Sequence, residues 1–167
     1  RATAAAAGHR RIAYIGAEHV TESLLDRRRG YKQGLAANGL PLDARLICLC
    51  AGQRVERTTL QTLLVLDATA VVVETGPIAY ALLHTCRECG IQIPADLSLG
   101  LLGDPFGDVD GALNFSGFSI PREEMGAQAV YLLAEGLDAK APARPRQIAL
   151  PCTPVAGSTI APPPTHP

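Results

Sequence analysis

The sequence predicts an α/β fold: a parallel sheet flanked by helices. Short apolar runs alternate with segments in which apolar residues recur at helical spacing, and glycine, proline or asparagine separates the two. Before residue 104, four such runs alternate with three such segments. Because parallel strands must be joined by crossovers, which are usually helical, this alternation indicates a parallel sheet with helices on both faces.

The first unit is a strand followed by a helix. Residues 11–16 (RIAYIG) are an apolar run that ends in glycine, which is typical of a buried parallel strand. Thr21 is the predicted N-cap of the helix, and Asn38-Gly39 is its predicted stop. The helix carries apolar residues at Leu24, Leu25, Tyr31, Leu35 and Ala36. Strand, loop and helix in this order begin a βαβ unit.

The same alternation continues along the chain. The further predicted strands are residues 45–50, 70–73 and 97–102, and a helix is predicted over residues 55–66. Pro77, at a first helical turn, begins a helix that runs to Cys89-Gly90.

The pattern changes after Gly103. We expect a loop over residues 104–111, a strand near 112–118, a helix from Pro121 through Leu133 and a strand at 147–150. A proline-rich linker covers residues 140–146, and residues 161–167 are predicted to be a disordered tail. The helix has an apolar stripe formed by Met125, Val130, Leu132 and Leu133.

Composition limits the function. The 167 residues are 47% hydrophobic and 19% charged, with a net charge of -1 at pH 7. This balance is that of a globular domain without the basic surface that binds nucleic acid or an anionic membrane. No apolar window approaches the roughly eighteen residues of a spanning helix, and residues 1–8 lack the features of an export signal. We therefore expect a cytoplasmic protein.

Catalytic and metal-binding motifs are missing from the sequence. It has no dinucleotide-binding glycine motif, phosphate loop or nucleophile elbow, so an enzyme is not predicted. His84, Cys86 and Cys89 have some of the residue types of a metal site, but the two thiols lie within a predicted helix without a second ligand pair. Cys48 and Cys50 share one side of a strand. We expect core packing for these thiols, and neither a metal nor a cofactor.

Several phrases occur in an order that resembles the second half of the sensor of LacI-type transcription regulators. They are GHRRIA at residues 8–13, Ile15-Gly16, Arg27 three residues before Gly30-Tyr31, the Gly90 to Ser98 phrase GIQIPADLS, PREEMG at 121–126 with Ala129-Val130, and Gly157-Ser158-Thr159. Each phrase is weak alone, but the ordered set spans roughly residues 8 to 160.

The resemblance implies a periplasmic-binding-protein-like type I lobe. Residues 8–111 would form the second lobe of the sensor, and residues 112–139 would return to a first lobe that is otherwise absent. Residues 140–160 would be a linker and final strand, followed by the tail at 161–167. The family binds a small effector between its lobes, forms homodimers and contacts DNA through a separate helix-turn-helix headpiece. The chain is thus expected to be part of a longer protein.

The resemblance also implies ligand-binding residues. Arg27 occupies the position of the family's effector-binding arginine, whose fork suits carboxylates, phosphates and hydroxyls, although Arg27, Arg28 and Arg29 could equally be a solvated helix face. Where the family has an Asn-Asp pair and an aromatic-Asp-Asp phrase, this sequence has Glu74-Thr75 and Leu102-Gly103-Asp104. Glu74 and Asp104 are candidates because they follow strands, with solvation or helix capping as the alternative.

The expected partners are a second copy of the chain and a sugar, nucleobase or organic acid. Ile78, Ala81, Leu82 and His84 are predicted dimer contacts on the helix from Pro77, although Ile78 and Leu82 could equally be core. A transport-type solute-binding protein, an enzyme on the same frame and an effector-blind dimerisation module remain alternatives. The solute-binding protein would carry an export signal, and the dimerisation module would not be stabilised by any metabolite.

Overall fold

A computed structural model describes residues 4–5, 7–19, 21–104, 114–138 and 146–164. Its centre is a four-stranded parallel sheet. The strands are β1 (Ile12–Ala17), β2 (Ile47–Cys50), β3 (Ala70–Val73) and β4 (Ser98–Leu101), in the spatial order β2-β1-β3-β4. The crossover helices are α1 (Glu22–Ala37), α2 (Arg57–Val65) and α3 (Gly76–Glu88), and the 3₁₀ turn Ala44–Leu46 precedes β2. The predicted α/β class with a parallel sheet is confirmed.

Alternate residues of the strands enter two separate cores. Ala13 and Ile15 of β1 belong to the larger core, with Leu60 of α2 and Leu82 of α3. Ile12 and Tyr14 belong to the smaller core, with Tyr31 and Leu35 of α1. Since side chains alternate across a strand, α1 covers one face of the sheet while α2 and α3 cover the other.

The ends of α1 follow the predicted signals. Thr21 is the N-cap residue, although its side chain makes no capping hydrogen bond. Asn38 is the C-cap, and Gly39 adopts a φ of +66°. That left-handed conformation is easily reached only by a residue without a Cβ atom, so glycine ends the helix here.

A second, two-stranded sheet follows the main one. β5 (Gly117–Ser119) pairs antiparallel with β6 (Thr153–Val155), and Ser116 forms a parallel bridge with Gly100 of β4. Residues 147–150 were predicted as a strand but have no regular structure. The strand lies at Thr153–Val155 instead, because these residues are the ones that find a backbone partner in β5. Of the strand predicted near 112–118, residues 112–113 lie outside the described residues, and the observed strand β5 begins at Gly117. Most of the linker at 140–146 also lies outside the described residues.

The start of the predicted tail is anchored to the sheet. The Ala161 carbonyl accepts a hydrogen bond from His9 Nε2 at 2.8 Å, and the Ala161 N–H donates to Ser98 Oγ at 3.0 Å. His9 is only 1% exposed. Residues 161–164 therefore differ from the predicted free tail, and 165–167 lie outside the described residues.

The helix after β5, α4 (Arg122–Asp138), is largely exposed. Its large apolar side chains Met125, Val130, Leu133 and Leu137 are 50%, 65%, 69% and 87% exposed. Apolar side chains along a helix normally pack against another element, but the described residues leave most of the apolar side chains of α4 uncovered.

Candidate functional site

The strand order creates a switch point between β1 and β3. These two strands are neighbours, yet the chain leaves β1 through α1 towards β2 on one side, and leaves β3 through α3 towards β4 on the other. The crossovers diverge from the carboxyl ends of the two strands and leave a crevice there. In open parallel sheets this crevice is where ligands bind.

Glu74 directly follows β3 at this crevice and is fully buried. One carboxylate oxygen accepts a hydrogen bond from the Tyr14 hydroxyl, and the other accepts the Ala17 backbone N–H at 2.8 Å. A Cβ atom at Gly16 would lie 2.7 Å from the Tyr14 ring and 2.9 Å from the Glu74 carboxylate. The close approach of these groups therefore requires glycine at this position of β1.

Arg28 on α1 supplies the positive charge next to Glu74. Its Nη2 atom lies 4.0 Å from Glu74 Oε1 and donates a hydrogen bond to the Ala17 carbonyl at 3.2 Å. The guanidinium carbon is 5.9 Å from the centre of the Tyr14 ring. The Arg28 Nε atom is buried without a hydrogen-bond partner, while 17% of the side chain is exposed. Arg28 thus joins the buried carboxylate to the surface of the crevice.

Tyr14 completes the network as a hydrogen-bond donor. Burial raises the pKa of its hydroxyl far above the ordinary value, and the neighbouring Glu74 carboxylate raises this pKa further. The hydroxyl therefore stays protonated at neutral pH and donates to Glu74. A buried carboxylate is tolerated when hydrogen bonds and an opposite charge surround it, and Tyr14, Ala17 and Arg28 provide both.

Arg27 lies beside this network and is half-buried. It lines an apolar cavity of about 670 Å³ between α1 and the segments around Phe118 and Ile148. The buried residues of α1 are Leu24, Tyr31 and Leu35. At 100° per residue, Arg28 lies about 40° from the centre of that buried stripe and Arg27 about 60° on the other side. The two arginines therefore flank the stripe, and Arg28 is the one next to Glu74.

Asp104 follows β4 and is held by the return segment. Its Oδ1 atom accepts the Ile120 backbone N–H at 2.5 Å, and its Oδ2 atom pairs with Arg122 at the start of α4. Only 11% of its side chain is exposed. Asp104 therefore fixes the beginning of α4, which corresponds to the capping alternative, and most of its oxygen surface is occupied.

The four predicted interface residues divide into two pairs. Ile78 and Leu82 are 1% and 0% exposed and belong to the larger core, so they cannot contact a partner without repacking. They lie on the side of α3 that faces the sheet. Ala81 is half-buried and His84 is exposed, with its Nδ1 atom 3.6 Å from Glu88 Oε1. Only the second pair reaches the surface.

Sequence reasoning missed Arg28 and Tyr14. Arg28 follows the buried Leu24 by four positions and precedes the buried Tyr31 by three, so helical spacing places it on the sheet-facing side. Tyr14 alternates with Ala13 and Ile15 along β1. This alternation predicts the face of the sheet on which the Tyr14 side chain lies, but not its hydrogen-bond partner. Contact between Tyr14 and Glu74 depends on the pairing of β1 with β3, which no local pattern contains.

The described residues contain neither a candidate metal site nor a candidate membrane-spanning helix. They hold no group of three or more His, Cys, Asp and Glu side chains arranged to bind a metal ion. Over the same residues, no helix combines the length and apolarity needed to cross a membrane.

Comparison with known proteins identifies the family. The profile of the periplasmic binding protein-like domain matches residues 2–160. The chain belongs to the periplasmic binding protein-like domain family. No curated protein matches the sequence. The predicted resemblance to the sensors of LacI-type regulators is confirmed, because the solved structures similar to this periplasmic binding protein-like chain include LacI-family regulators.

Three of these structures illustrate the similarity. A sugar-binding LacI-family regulator from Escherichia coli, complexed with phosphate, has a TM-score of 0.77 and 22% identity over 95% of this chain and 58% of its own. A LacI-family regulator from Mycobacterium smegmatis has a TM-score of 0.73 and 25% identity over 96% of this chain and 60% of its own. A LacI-family regulator from Enterococcus faecium, with bound ribose, has a TM-score of 0.67 and 23% identity over 95% of this chain and 59% of its own.

The periplasmic binding protein-like chain therefore spans 58% to 60% of the length of these regulators. All three of these proteins are transcription regulators.

Proposed function

We propose that the chain is the effector-sensing and dimerisation portion of a LacI-type transcription repressor. It binds a small molecule in a cleft at the carboxyl ends of its parallel strands. Binding changes the affinity for DNA of a helix-turn-helix headpiece that belongs to the rest of the protein. Such a protein acts on DNA in the cytoplasm.

One observation carries the proposal: a polar network lies at the switch point of the sheet. Tyr14, Glu74 and Arg28 come from two strands and a helix, and they meet where the crossovers diverge. A core without a ligand role gains little from this arrangement, because a buried carboxylate and an unpartnered buried Nε both cost free energy. Such groups are common where a site is prepared for a ligand.

The arginines are the ligand-contacting groups of the proposed cleft. Arg27 and Arg28 flank the buried stripe of α1 and are each partly exposed. A guanidinium presents up to five N–H donors in a planar fork, which suits the hydroxyls of a sugar, the edge of a nucleobase or a carboxylate. Asp104 lies at the edge of this cleft, where it pairs with Arg122. Glu74 does not contact the ligand directly and acts through Arg28.

Coupling to DNA follows from the lobe arrangement of the family. We propose that residues 112–139 belong to a first lobe, so that α4 packs there in the intact protein. A ligand held between two lobes shifts their equilibrium by its difference in affinity for the open and closed arrangements. Homodimer contacts are assigned to Ala81 and His84, which reach the surface of α3.

The proposal is tested by thermal unfolding of the intact parent protein with a panel of sugars, nucleobases and organic acids. Wild type, Arg27→Ala, Arg28→Ala and Arg29→Ala are compared. Arg29 is the matched control, because it is an exposed arginine of the same helix that pairs with Asp26. An effector raises the melting temperature of wild type and Arg29→Ala by mass action, and raises it less in the other two. No stabilisation by any compound would contradict effector sensing.

A second candidate function is an effector-blind dimerisation module. It is favoured by the state of two predicted ligand residues: Glu74 has no exposed surface, and Asp104 is already paired with Arg122. This module would remain dimeric and would bind DNA equally well with and without every compound of the panel. Operator binding measured across the panel therefore separates the two functions.

A further inference from the structure

We propose that Glu74 sets the charge specificity of the cleft: it rejects anionic ligands and leaves Arg28 to bind an uncharged ligand through hydroxyl groups. This inference rests on the proposed effector-binding function and names the ligand class of the same site. It concerns a residue that does not touch the ligand and acts through Arg28.

Glu74 cannot contact a ligand in this structure. It is fully buried, and its two carboxylate oxygens accept hydrogen bonds from the Tyr14 hydroxyl and the Ala17 N–H. These partners hold the carboxylate in one orientation. Among the described residues, its positively charged neighbour is Arg28, whose Nη2 atom lies 4.0 Å from Glu74 Oε1.

Arg28 retains hydrogen-bonding capacity for a ligand. Among the described residues, its Nη2 atom is bonded to the Ala17 carbonyl, and Nε has no partner. The separation of 4.0 Å from Glu74 exceeds the length of a direct hydrogen bond, so the carboxylate neutralises the guanidinium without occupying its donors. The guanidinium is partly exposed, and in this proposal its outward N–H groups donate to ligand oxygens while the pair carries no net charge.

An anion at that surface would meet the opposing fields of two fixed charges. The attraction of Arg28 is offset by the repulsion of Glu74, which water screens weakly because the carboxylate is fully buried. A neutral hydroxyl group does not incur this repulsion. Arg27 adds a further positive charge on the other side of the buried stripe of α1, and Asp104 is already paired with Arg122.

The substitution Glu74→Gln tests the inference because it removes the charge and keeps the shape. The Gln amide oxygen can accept the Ala17 N–H, and its amino group can donate to the Tyr14 hydroxyl oxygen. The probes are inorganic phosphate as the anion and D-ribose as the uncharged polyol. They are titrated into the 167-residue chain at constant ionic strength, and binding is followed by two-dimensional NMR of the backbone amides and the arginine Nε–H groups.

Glu74→Gln is expected to bind inorganic phosphate roughly tenfold more tightly than wild type, as removal of one buried like charge near the ligand implies. The affinity for D-ribose is expected to change less than about threefold, because a neutral ligand does not respond to that charge. Adding Arg28→Gln abolishes the gain for phosphate. Adding Arg29→Gln, which removes the same charge from an exposed site of the same helix, preserves most of it. Thermal unfolding of each variant verifies that it is folded.

Equal phosphate binding by wild type and Glu74→Gln, including no binding by either, overturns the inference. A gain that survives Arg28→Gln also overturns it. Neither result decides the proposed function, which depends on stabilisation of the intact parent by the metabolite panel. Conversely, a panel without any effector, together with a phosphate gain in Glu74→Gln, retains Glu74 as an anion-rejecting residue and removes the sensing role.

Discussion

Thr159 and Leu99 exchange two hydrogen bonds at the edge of the main sheet. The Leu99 N–H donates to the Thr159 carbonyl at 2.7 Å, and the Thr159 hydroxyl donates to the Leu99 carbonyl at 2.7 Å. The same hydroxyl accepts the Ser116 N–H at 2.9 Å, and Thr159 is fully buried. One threonine therefore joins β4 to both segments that follow it, so this side chain ties the end of the chain to the fold.

Thr159→Val is expected to lower the free energy of unfolding by about 1–3 kcal/mol, because it leaves the buried Ser116 N–H without an acceptor. Valine has nearly the same shape, so the loss isolates the hydroxyl. Thr159→Ser keeps the hydroxyl and serves as the control, with a smaller loss from the missing methyl group. Urea unfolding measures both. A Thr159→Val protein as stable as wild type would show that this hydroxyl does not hold the segments together.

Local patterns were sufficient for the main sheet. The four strands and three helices were predicted in order, and residues 70–73 were predicted with the observed bounds, because buried parallel strands are apolar throughout and amphipathic helices repeat at 3.6 residues. The short strand β6 was missed, since its pairing with β5 depends on a distant partner. Patterns predict an element when its signal is local, and fail when a long-range contact defines it.

Arg28→Ala is expected to destabilise the chain more than Arg27→Ala. Removing the Arg28 guanidinium leaves the buried Glu74 without a neighbouring cation, which we expect to cost about 1–2 kcal/mol after allowance for the 4.0 Å separation and partial exposure. Arg27→Ala is expected to change the free energy of unfolding by less than about 0.5 kcal/mol.

Urea unfolding of the double variant Arg28→Ala with Glu74→Gln provides the matching control. The second substitution removes the uncompensated charge, so part of the lost stability returns. If Arg28→Ala costs the same in both backgrounds, the pair is not coupled and the network assigned to the crevice is wrong.

The candidate site shows why its residues were only partly predictable. Glu74 was predicted as a ligand-binding residue because it follows a strand. In the structure it is buried, and its carboxylate accepts a hydrogen bond from the Tyr14 hydroxyl. Neighbouring arginines 27 and 28 have the same chemistry, and a rotation of one helical position decides which one approaches Glu74. Packing in three dimensions decides whether a residue contacts the ligand or supports a residue that does. A sequence pattern does not contain that information.

Stability is expected to fall at alkaline pH through Tyr31. Burial, and to a lesser extent the Asp43 charge, raises the pKa of its hydroxyl from 10.0 to about 12, and that hydroxyl donates to the Ile12 carbonyl at 2.8 Å. Above pH 10 the unfolded chain loses this proton while the folded chain keeps it. The stabilisation is therefore complete below pH 10 and is lost as the pH rises to about 12.

The measurement is the free energy of unfolding at pH 9 and pH 11, for wild type and Tyr31→Phe. Wild type should lose about 1 kcal/mol more than the variant between these values. Tyr131→Phe, at an exposed position of α4, is the control and should follow wild type. Identical pH profiles for wild type and Tyr31→Phe would argue against a buried hydroxyl at Tyr31.

Cysteine reactivity is expected to separate Cys152 from Cys86. Cys152 is exposed, whereas burial, with a smaller contribution from Cys89, raises the pKa of the Cys86 thiol to about 12. Since the thiolate is the reactive form, Cys86 should resist alkylation in the folded chain. Mass spectrometry after brief iodoacetamide treatment at pH 8 should find Cys152 modified first, and all five cysteines modified in urea. Early modification of Cys86 would contradict its place in the core.

The exposed stripe of α4 is expected to drive self-association of the isolated chain. Leu133 and Leu137 are one helical turn apart and 69% and 87% exposed, and we propose that a first lobe covers them in the intact protein. Contiguous exposed apolar surface promotes association. Leu133→Lys combined with Leu137→Lys should therefore shift the chain towards monomer in sedimentation velocity while its melting temperature stays close to wild type.

Leu60→Lys is the control for that pair, because Leu60 is fully buried in the larger core and a charge there should unfold the chain. The comparison separates a loss of association from a loss of fold. If the double variant associates as strongly as wild type, the surface responsible lies elsewhere, and the exposed side of α3 with Ala81 and His84 becomes the next region to substitute. If it becomes monomeric, α4 is the associating surface, which is the behaviour expected of a helix that packs against the proposed first lobe in the intact protein.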